Sequence, residues 1–263
     1  MVIFMNETLK LLNDRTSLRK YADKAITPED LQYILEGAMR APTAGNMMTY
    51  SIIVVQDAKK KEILSKSCDN QPFIAKCPLV LIFVADYQKW FEYYKANNVL
   101  GYCNKNNIEY LAPSEASLFL AIGDAVIAAQ NAVIAAESIG IGSCYIGDIM
   151  EKYEFHKELL KLPEFAFPAA MLCLGYYPED YNINPRDRFQ QKYVVFDEEY
   201  KTLSTDEIQD MYKTLNNRPI TGNKFNADNY AQMHYAFKTG ADFSLEMARS
   251  IKEVLKIWNG KKL

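Results

Sequence analysis

Histidine, tryptophan and an excess of one charge are what this chain has least of. It holds 2 His and 2 Trp in 263 residues, and 30 basic against 33 acidic side chains give a formal net charge of −3. His156 and His234 lie far apart, and the five cysteines, Cys68, Cys77, Cys103, Cys144 and Cys173, contain no CxxC pair. Structural zinc therefore has no ligand set at the usual spacing, and an odd, scattered cysteine count gives no disulfide framework. A near-neutral chain has no long-range field for gripping a polyphosphate, which excludes general nucleic-acid binding; any anion site must be local. No secretory leader is read at the N-terminus, where a short apolar stretch already ends at Asn6-Glu7. The most apolar long run, Leu118 to Ala136, contains Asp124, Gln130 and Asn131, so it reads as a buried helix and not as a membrane span. The expectation is a reduced, soluble, cytoplasmic protein with neither nucleic acid nor membrane as partner.

What is present is an ordinary globular composition, 49% hydrophobic and 24% charged. A chain of this length buries roughly three quarters of the surface it exposes when unfolded. Glu7 to Asn13 reads as a short helix. Thr27-Pro28-Glu29-Asp30 is a helix start, with a capping hydroxyl, proline at the first position and acids in the positive first turn. Leu31, Ile34, Leu35, Ala38 and Met39 continue it at helical spacing, and Ala41 to Asn46 ends it in a loop. Strands are expected at Tyr50–Gln56, Leu79–Ala85, Ser143–Ile146 and Phe167–Leu174. Helices are expected at Ala116–Ile139 and Glu151–Leu160, with two or three more in the tail. This order implies an α+β sheet sandwiched by helices. No repeat or long linker divides the chain, so it is read as one domain over 1–263, with 201–263 as a helical extension.

Gly140-x-Gly142 follows a helix and opens a strand, the reverse of a dinucleotide-binding fingerprint, and is read as a helix stop. Arg15-Thr16-Ser17-Leu18-Arg19-Lys20-Tyr21 packs three cations and two hydroxyls together, groups suited to a phosphate monoester, although taken alone a solvated basic helix end is the better reading. The small residues, hydroxyl and amide of Ala41 to Asn46 suit a planar ligand or a plain connection. Cys144-Tyr145-Ile146-Gly147-Asp148 is a strand end able to aim backbone N–H groups into a cleft. Pro185-Arg186-Asp187-Arg188 is a surface turn or a further source of positive charge. Tyr87, Trp90, Phe91, Tyr93 and Tyr94 form either a lid or a packed surface helix.

Taken together, these segments resemble the nitroreductase family of flavin enzymes, most closely its branch of NADPH-dependent oxygen-insensitive nitroreductases and flavin reductases. The likeness is carried by Arg15 to Tyr21, Ala41 to Asn46, Asn70-Gln71, Ala128 to Gly142, Tyr145-Ile146-Gly147, Leu172 to Gly175 and Pro185-Arg186, spanning about residues 7 to 200. It implies a central, mostly antiparallel sheet flanked by helices, and a homodimer with FMN at each of two equivalent interface sites. By this resemblance Arg15 and Ser17, with Thr16 between them, bind the FMN phosphate, and Arg186 reaches the same group. Arg19 lies near the ribityl chain and the N1–O2 edge, and Gln71 bonds the pyrimidine edge. Pro42, Thr43, Ala44 and Asn46 come from the partner subunit, Tyr145 and Ile146 pack near the ring, and the Gly147 N–H faces N5. The implied activity is ping-pong hydride transfer from NADPH or NADH, through FMN, to nitroaromatics, quinones or flavins, with no catalytic side chain and no metal.

Some residues depart from the family pattern. Asn184 stands where a lysine is usual, with Arg188 near enough in sequence to compensate; Met48 replaces a frequent glutamine, and Asp148 a frequent glycine. Asp148 beside a flavin would disfavour its anionic reduced form. Two alternatives follow: a flavin storage or sensor protein with little turnover, and a flavin reductase supplying a partner enzyme. Arg218 and Lys224 are candidates for the extra phosphate of NADPH.

Overall fold

The first two helices begin where a side chain caps them. The computed structural model describes residues 6–220 and 222–261. Helix α1 (Glu7–Asp14) starts behind Asn6, whose Oδ1 accepts the Leu9 N–H at 2.9 Å. Helix α2 (Pro28–Met39) starts behind Thr27, whose Oγ1 accepts the Asp30 N–H at 3.1 Å, as the Thr-Pro-Glu-Asp signal predicts. Then come β1 (Tyr50–Val55), α3 (Ala58–Ser67), α4 (Pro72–Lys76), β2 (Leu79–Asp86), α5 (Gln88–Ala96), α6 (Val99–Asn106), α7 (Glu115–Ser138), β3 (Ile141–Ile146), α8 (Tyr153–Leu160) and β4 (Ala166–Tyr176). The tail holds α9 (Thr205–Asn216), α10 (Tyr230–His234) and α11 (Asp242–Ile257).

The strands form one sheet in the order β1-β2-β4-β3, antiparallel throughout. The central strands β2 and β4 are buried along almost their whole length. Cover on both faces is why they read as continuous apolar runs instead of alternating ones. One face packs on α2 and α7 through a row of alanines, among them Ala121, Ala125, Ala128, Ala132 and Ala136. Small side chains let these helices approach closely: a Cβ added at Gly37 would lie 2.6 Å from the Ala135 Cβ. The C-terminal end of α11 seals the same core with Val254 and Trp258, both 0% exposed. The opposite face packs Leu64, Ile74, Val80, Ile82, Ile149 and Cys173. All five cysteines are buried and free.

Three boundaries shift from their expected places. Gly140, at φ 76°, ends α7 alone, and β3 begins at Ile141 with Gly142 already paired to Gly175. A Cβ at Gly142 would meet the Tyr177 ring at 2.6 Å and Leu18 at 2.7 Å, so this glycine serves packing and not the helix stop. β4 runs on to Tyr176, past the expected loop onset at Gly175. Helix α8 begins at Tyr153 and not at Glu151, because Lys152 adopts φ 47° and separates it from a one-turn helix at Asp148–Met150.

By length and composition, α7 is long and apolar enough to cross a membrane. Its alanines nonetheless face the sheet, and Asp124 in its middle is 3% exposed. The chain forms two compact units, Met1–Pro185 with Glu246–Leu263, and Arg186–Leu245. In the second, Ser204 and Glu207 cap α9 reciprocally, and Phe189 stacks edge-on against Tyr212 with ring centroids 5.1 Å apart.

Candidate functional site

Beyond α1 the chain lies along the free edge of β3. The Leu18 N–H donates to the Ser143 carbonyl at 2.9 Å, and Ser17 forms a parallel bridge with Ser143. Leu18 is 0% exposed, and in extended backbone its neighbours turn the other way, so Ser17 and Arg19 face outward from one anchor. Arg15, Ser17 and Arg19 converge on Cys144 in β3: burial pushes its thiol up, opposed by the Arg19 charge, a Ser17 hydrogen bond and the Arg15 charge. Arg15 also acts on Tyr145, raised by burial to about 12, and on Glu137, raised by burial to about 7. The Tyr177 hydroxyl donates to Glu137 at 2.9 Å.

Arg19 ties this edge to α4, its guanidinium carbon 5.7 Å from the centre of the Phe73 ring. Two residues earlier, Gln71 is held on both sides. Its backbone N–H donates to the Ser65 carbonyl at 2.9 Å, and its own carbonyl accepts from Ser65 Oγ at 2.8 Å. Gln71 Nε2 donates to Asp148 Oδ2 at 2.6 Å and to the Cys68 carbonyl at 3.0 Å, which uses both amide hydrogens. Gln71 Oε1 has no partner among the described residues, and so remains free to accept from a ligand N–H. Arg15, Ser17 and Arg19 therefore line the β3 edge, Arg15 near Tyr145 and Arg19 near α4, which Gln71 precedes; Gly147, next to Asp148, is exposed. Thr16, half-buried, reaches the Tyr181 hydroxyl at 3.4 Å. Ile146, expected beside a ring, has its side chain in the core at 2% exposure, because alternation along β3 turns Tyr145 outward and Ile146 inward.

The loop at Ala41–Asn46 is built elsewhere. Asp124 of α7 holds it from inside, accepting the Ala44 N–H on Oδ1 at 2.9 Å, and the Thr49 N–H and hydroxyl on Oδ2 at 3.2 and 2.6 Å. Thr43 Oγ1 accepts the Met48 N–H at 3.2 Å. The backbone turns through positive φ at Gly45 (56°), Asn46 (56°) and Met48 (49°), a conformation glycine and asparagine tolerate far better than methionine. Pro42 and Asn46 point to solvent, with Thr43 and Ala44 half-buried. The aromatic segment beside it is the surface helix α5, whose Trp90 Nε1 donates to the Met47 carbonyl at 2.8 Å, bracing the loop from below.

Within one chain these two clusters do not meet. Asp124 and Glu137 mark their places on α7 and are thirteen residues apart, about 20 Å at 1.5 Å per residue. Asn184 is exposed on the first unit, while Arg186 and Arg188 are exposed on the second, where Arg188 Nη1 donates to the Arg186 carbonyl at 3.3 Å. Arg188 and Arg218 line one cavity of about 510 Å³ in that unit, together with Asp187 and Asp210.

Two acids with no motif of their own shape these clusters. In the sequence Asp124 is only a polar interruption of an apolar helix; in the fold it is the loop's anchor. Glu151 is 2% exposed and its Oε1 has no hydrogen-bond partner. Burial raises its carboxyl to about 8, reinforced by Asp148 and Asp69 and opposed by Lys152. The unusual Asp148 is the signal that leads to it, since one turn of 3-10 helix brings residues three apart together. His156 sits behind this pair, with Nδ1 2.7 Å from the Glu151 carbonyl and Nε2 2.8 Å from Ser67 Oγ, its basicity lowered by burial.

Comparison with known proteins bears on both clusters. An FMN reductase [NAD(P)H] of Bacillus subtilis is 34% identical over 204 residues, 78% of each chain, and an FMN reductase (NADPH) of the same organism is 30% identical over 210 residues, 80% of each. The structure of an NADPH:FMN oxidoreductase from Vibrio harveyi, complexed with NAD+, superposes with a TM-score of 0.74 at 25% identity, covering 95% of this chain and 98% of that one. The sequence profile of the Nitroreductase family matches residues 12–176, which contain the strand edge, Gln71, the Ala41–Asn46 loop and all four strands. The chain belongs to the nitroreductase family.

Proposed function

We propose that the chain is an FMN-dependent NAD(P)H oxidoreductase that works as a homodimer. The observation that carries this reading is the row of Arg15, Ser17 and Arg19 on the β3 edge, facing an oriented Gln71 whose Oε1 is free. Arg15 and Ser17, with Thr16 between them, hold the cofactor's phosphate by charge-assisted bonds. Arg19 sets a fixed cation where reduction leaves negative charge, favouring the reduced form. Gln71 Oε1 orients the pyrimidine edge, Tyr145 flanks the ring and the Gly147 N–H is presented to N5. Bound FMN supplies two-electron hydride chemistry between NADPH or NADH and an aromatic acceptor such as a nitroaromatic, a quinone or a flavin.

The second half of each site comes from another copy. Asp124, which holds the loop of Pro42, Thr43, Ala44 and Asn46, stands about 20 Å along α7 from Glu137 beside the cationic edge, so the loop is assigned to the other subunit's flavin. A face of α7 stands ready for the pairing: Phe119 is 70% exposed, Leu120 58% and Ile127 42%, and beside them Gly123 has open space above it. Because Asp124 turns inward and the helix's alanines face the sheet, α7 is read as a core helix and not a membrane span, and a cytoplasmic location is part of the proposal.

The test is the visible spectrum of the purified protein during anaerobic addition of NADPH or NADH. The expected result is a flavin band that bleaches, then returns on adding a nitroaromatic or a quinone. Asp148, close behind Gln71, favours a second reading, a flavin-storage protein with little turnover, and a band that does not bleach would establish it. Rapid turnover of added free FMN with poor nitro reduction would instead mark a flavin reductase, the activity carried in the names of both Bacillus relatives.

A further inference from the structure

The densest unexplained charge lies past the C-terminal end of α4. A cavity of about 500 Å³ is lined by Arg19, Lys20, Lys24, Lys61 and Lys76, with Asp23 as its one acid. Five cations around one cavity are anomalous in a chain whose net charge is −3. Lys61 is the most informative, at 8% exposure. Its Nζ donates to the Cys77 carbonyl at 2.6 Å, yet it makes no ion pair among the described residues. Its charge also acts on the Cys77 thiol, which is lowered first by a Cys173 hydrogen bond, but no carboxylate pairs with Lys61 among the described residues, and buried charges are normally paired. Lys76 and Arg19 also make no ion pair among the described residues. Lys20 is shared with Asp180 at 3.3 Å, and Lys24 lies 3.8 Å from the Tyr176 ring centre, where its charge also reaches Asp30 without forming an ion pair.

We propose that this cavity is an anion site that takes a phosphate group, either free or as a monoester. Three features support a doubly charged tetrahedral anion over a carboxylate. The donors approach from three segments, the strand-edge chain, α3 and α4, and so surround a ligand instead of clamping it in a plane. Lys61 brings a point charge with two unused N–H donors, suited to an oxygen-rich anion. The volume exceeds a bare phosphate severalfold, which leaves space for an ester's organic part against Tyr21, Ala22 and Pro78. This site stands apart from the flavin assignment, sharing with it only Arg19 at the boundary.

The test is calorimetric titration of the flavin-loaded protein with inorganic phosphate in low-salt, phosphate-free buffer, for the wild type and for the variants Lys61→Met and Lys24→Gln/Lys76→Gln. The second variant changes only exposed side chains, so it folds even where Lys61→Met does not. The expected result is saturable phosphate binding, weakened roughly tenfold in the double variant with flavin absorbance unchanged. Absence of saturable binding, or binding undiminished in the double variant, overturns the proposal. Donor kinetics then separate the sources. Phosphate that raises KM for NADPH alone shows the site is used by the donor's extra phosphate, and phosphate that alters neither KM shows an independent free-phosphate site; both support it. An equal rise for NADPH and NADH that persists in the double variant puts phosphate at the flavin instead, and overturns the proposal. Because the titration is read by heat and the flavin by absorbance, failure here leaves the oxidoreductase reading standing, and the reverse.

Discussion

The middle of α7 and its C-terminal end present opposite kinds of surface. Near Glu137 the chain presents cations and hydroxyls on a strand edge, each outward residue fixed by the burial of Leu18 between them. Near Asp124 it presents a turn of small residues whose own charge is turned inward to hold the backbone. The first kind binds charge directly. The second excludes water and shapes a wall, and needs an exposed surface with no charge of its own. An anionic, planar cofactor would draw on both, and the proposed twofold pairing would bring the two surfaces together.

The largest effect should come from the charged end. Arg15→Ala with Ser17→Ala removes two charge-assisted partners of a phosphate, and the protein should purify largely without flavin, read as loss of the band near the visible maximum after dialysis. Full yellow occupancy in that variant would refute the phosphate assignment. A mixing experiment sharpens the comparison. Subunits of this variant exchanged with subunits altered in the loop, for example Ala44→Glu, should regain flavin, because each mixed dimer contains one site with both halves intact. No recovery on mixing, or a monomeric holo-protein by light scattering, removes the two-subunit site.

Next in size is Asp124→Ala, which strands the Ala44 and Thr49 N–H groups and the Thr49 hydroxyl in a buried place. Unsatisfied buried donors cost roughly 1–3 kcal/mol each, so the melting temperature should fall by several degrees or more. Asp124→Asn, which keeps acceptor capacity on one oxygen only, should fall between. If Asp124→Ala melts like the wild type, the loop is held by something other than this carboxylate.

The contrast also explains what was readable in advance. Capping signals such as Thr27-Pro28 and the apolar runs of β2 and β4 are local, so α2, α7 and the four strands were legible and the α+β arrangement followed from their order, whereas the short helices α3, α4 and α6 were not read. The cationic row was legible too, because Arg15, Ser17 and Arg19 are neighbours in sequence. The roles of Asp124 and Lys61 were not, since each depends on a partner far along the chain: Asp124 reads as a polar interruption and Lys61 as one of three consecutive lysines. Boundaries failed where a residue adopts positive φ without being glycine, as Lys152 does, because no propensity announces it.

The smallest expected effect probes the pair behind Gln71. Glu151 is held up to about 8, first by burial and then by Asp148 and Asp69, whereas in the unfolded chain it titrates near the ordinary glutamate value. Between those two values the folded protein keeps a proton that the unfolded chain has released. Stability therefore falls as pH rises from about 4.5 to about 8, and this contribution levels off above. Glu151→Gln keeps a neutral, hydrogen-bonding side chain at all pH values, so it should flatten that slope and melt higher than the wild type at pH 9, with little difference at pH 5. The same substitution should remove any pH dependence of flavin affinity over this interval, because an ionised Glu151 loses its hydrogen bond to Asp148 and repels the carboxylate that orients Gln71. A wild-type melting curve with no slope between pH 5 and 8 beyond that of Glu151→Gln would show that Glu151 is already ionised in the fold, and that Gln71 is oriented by Asp148 alone.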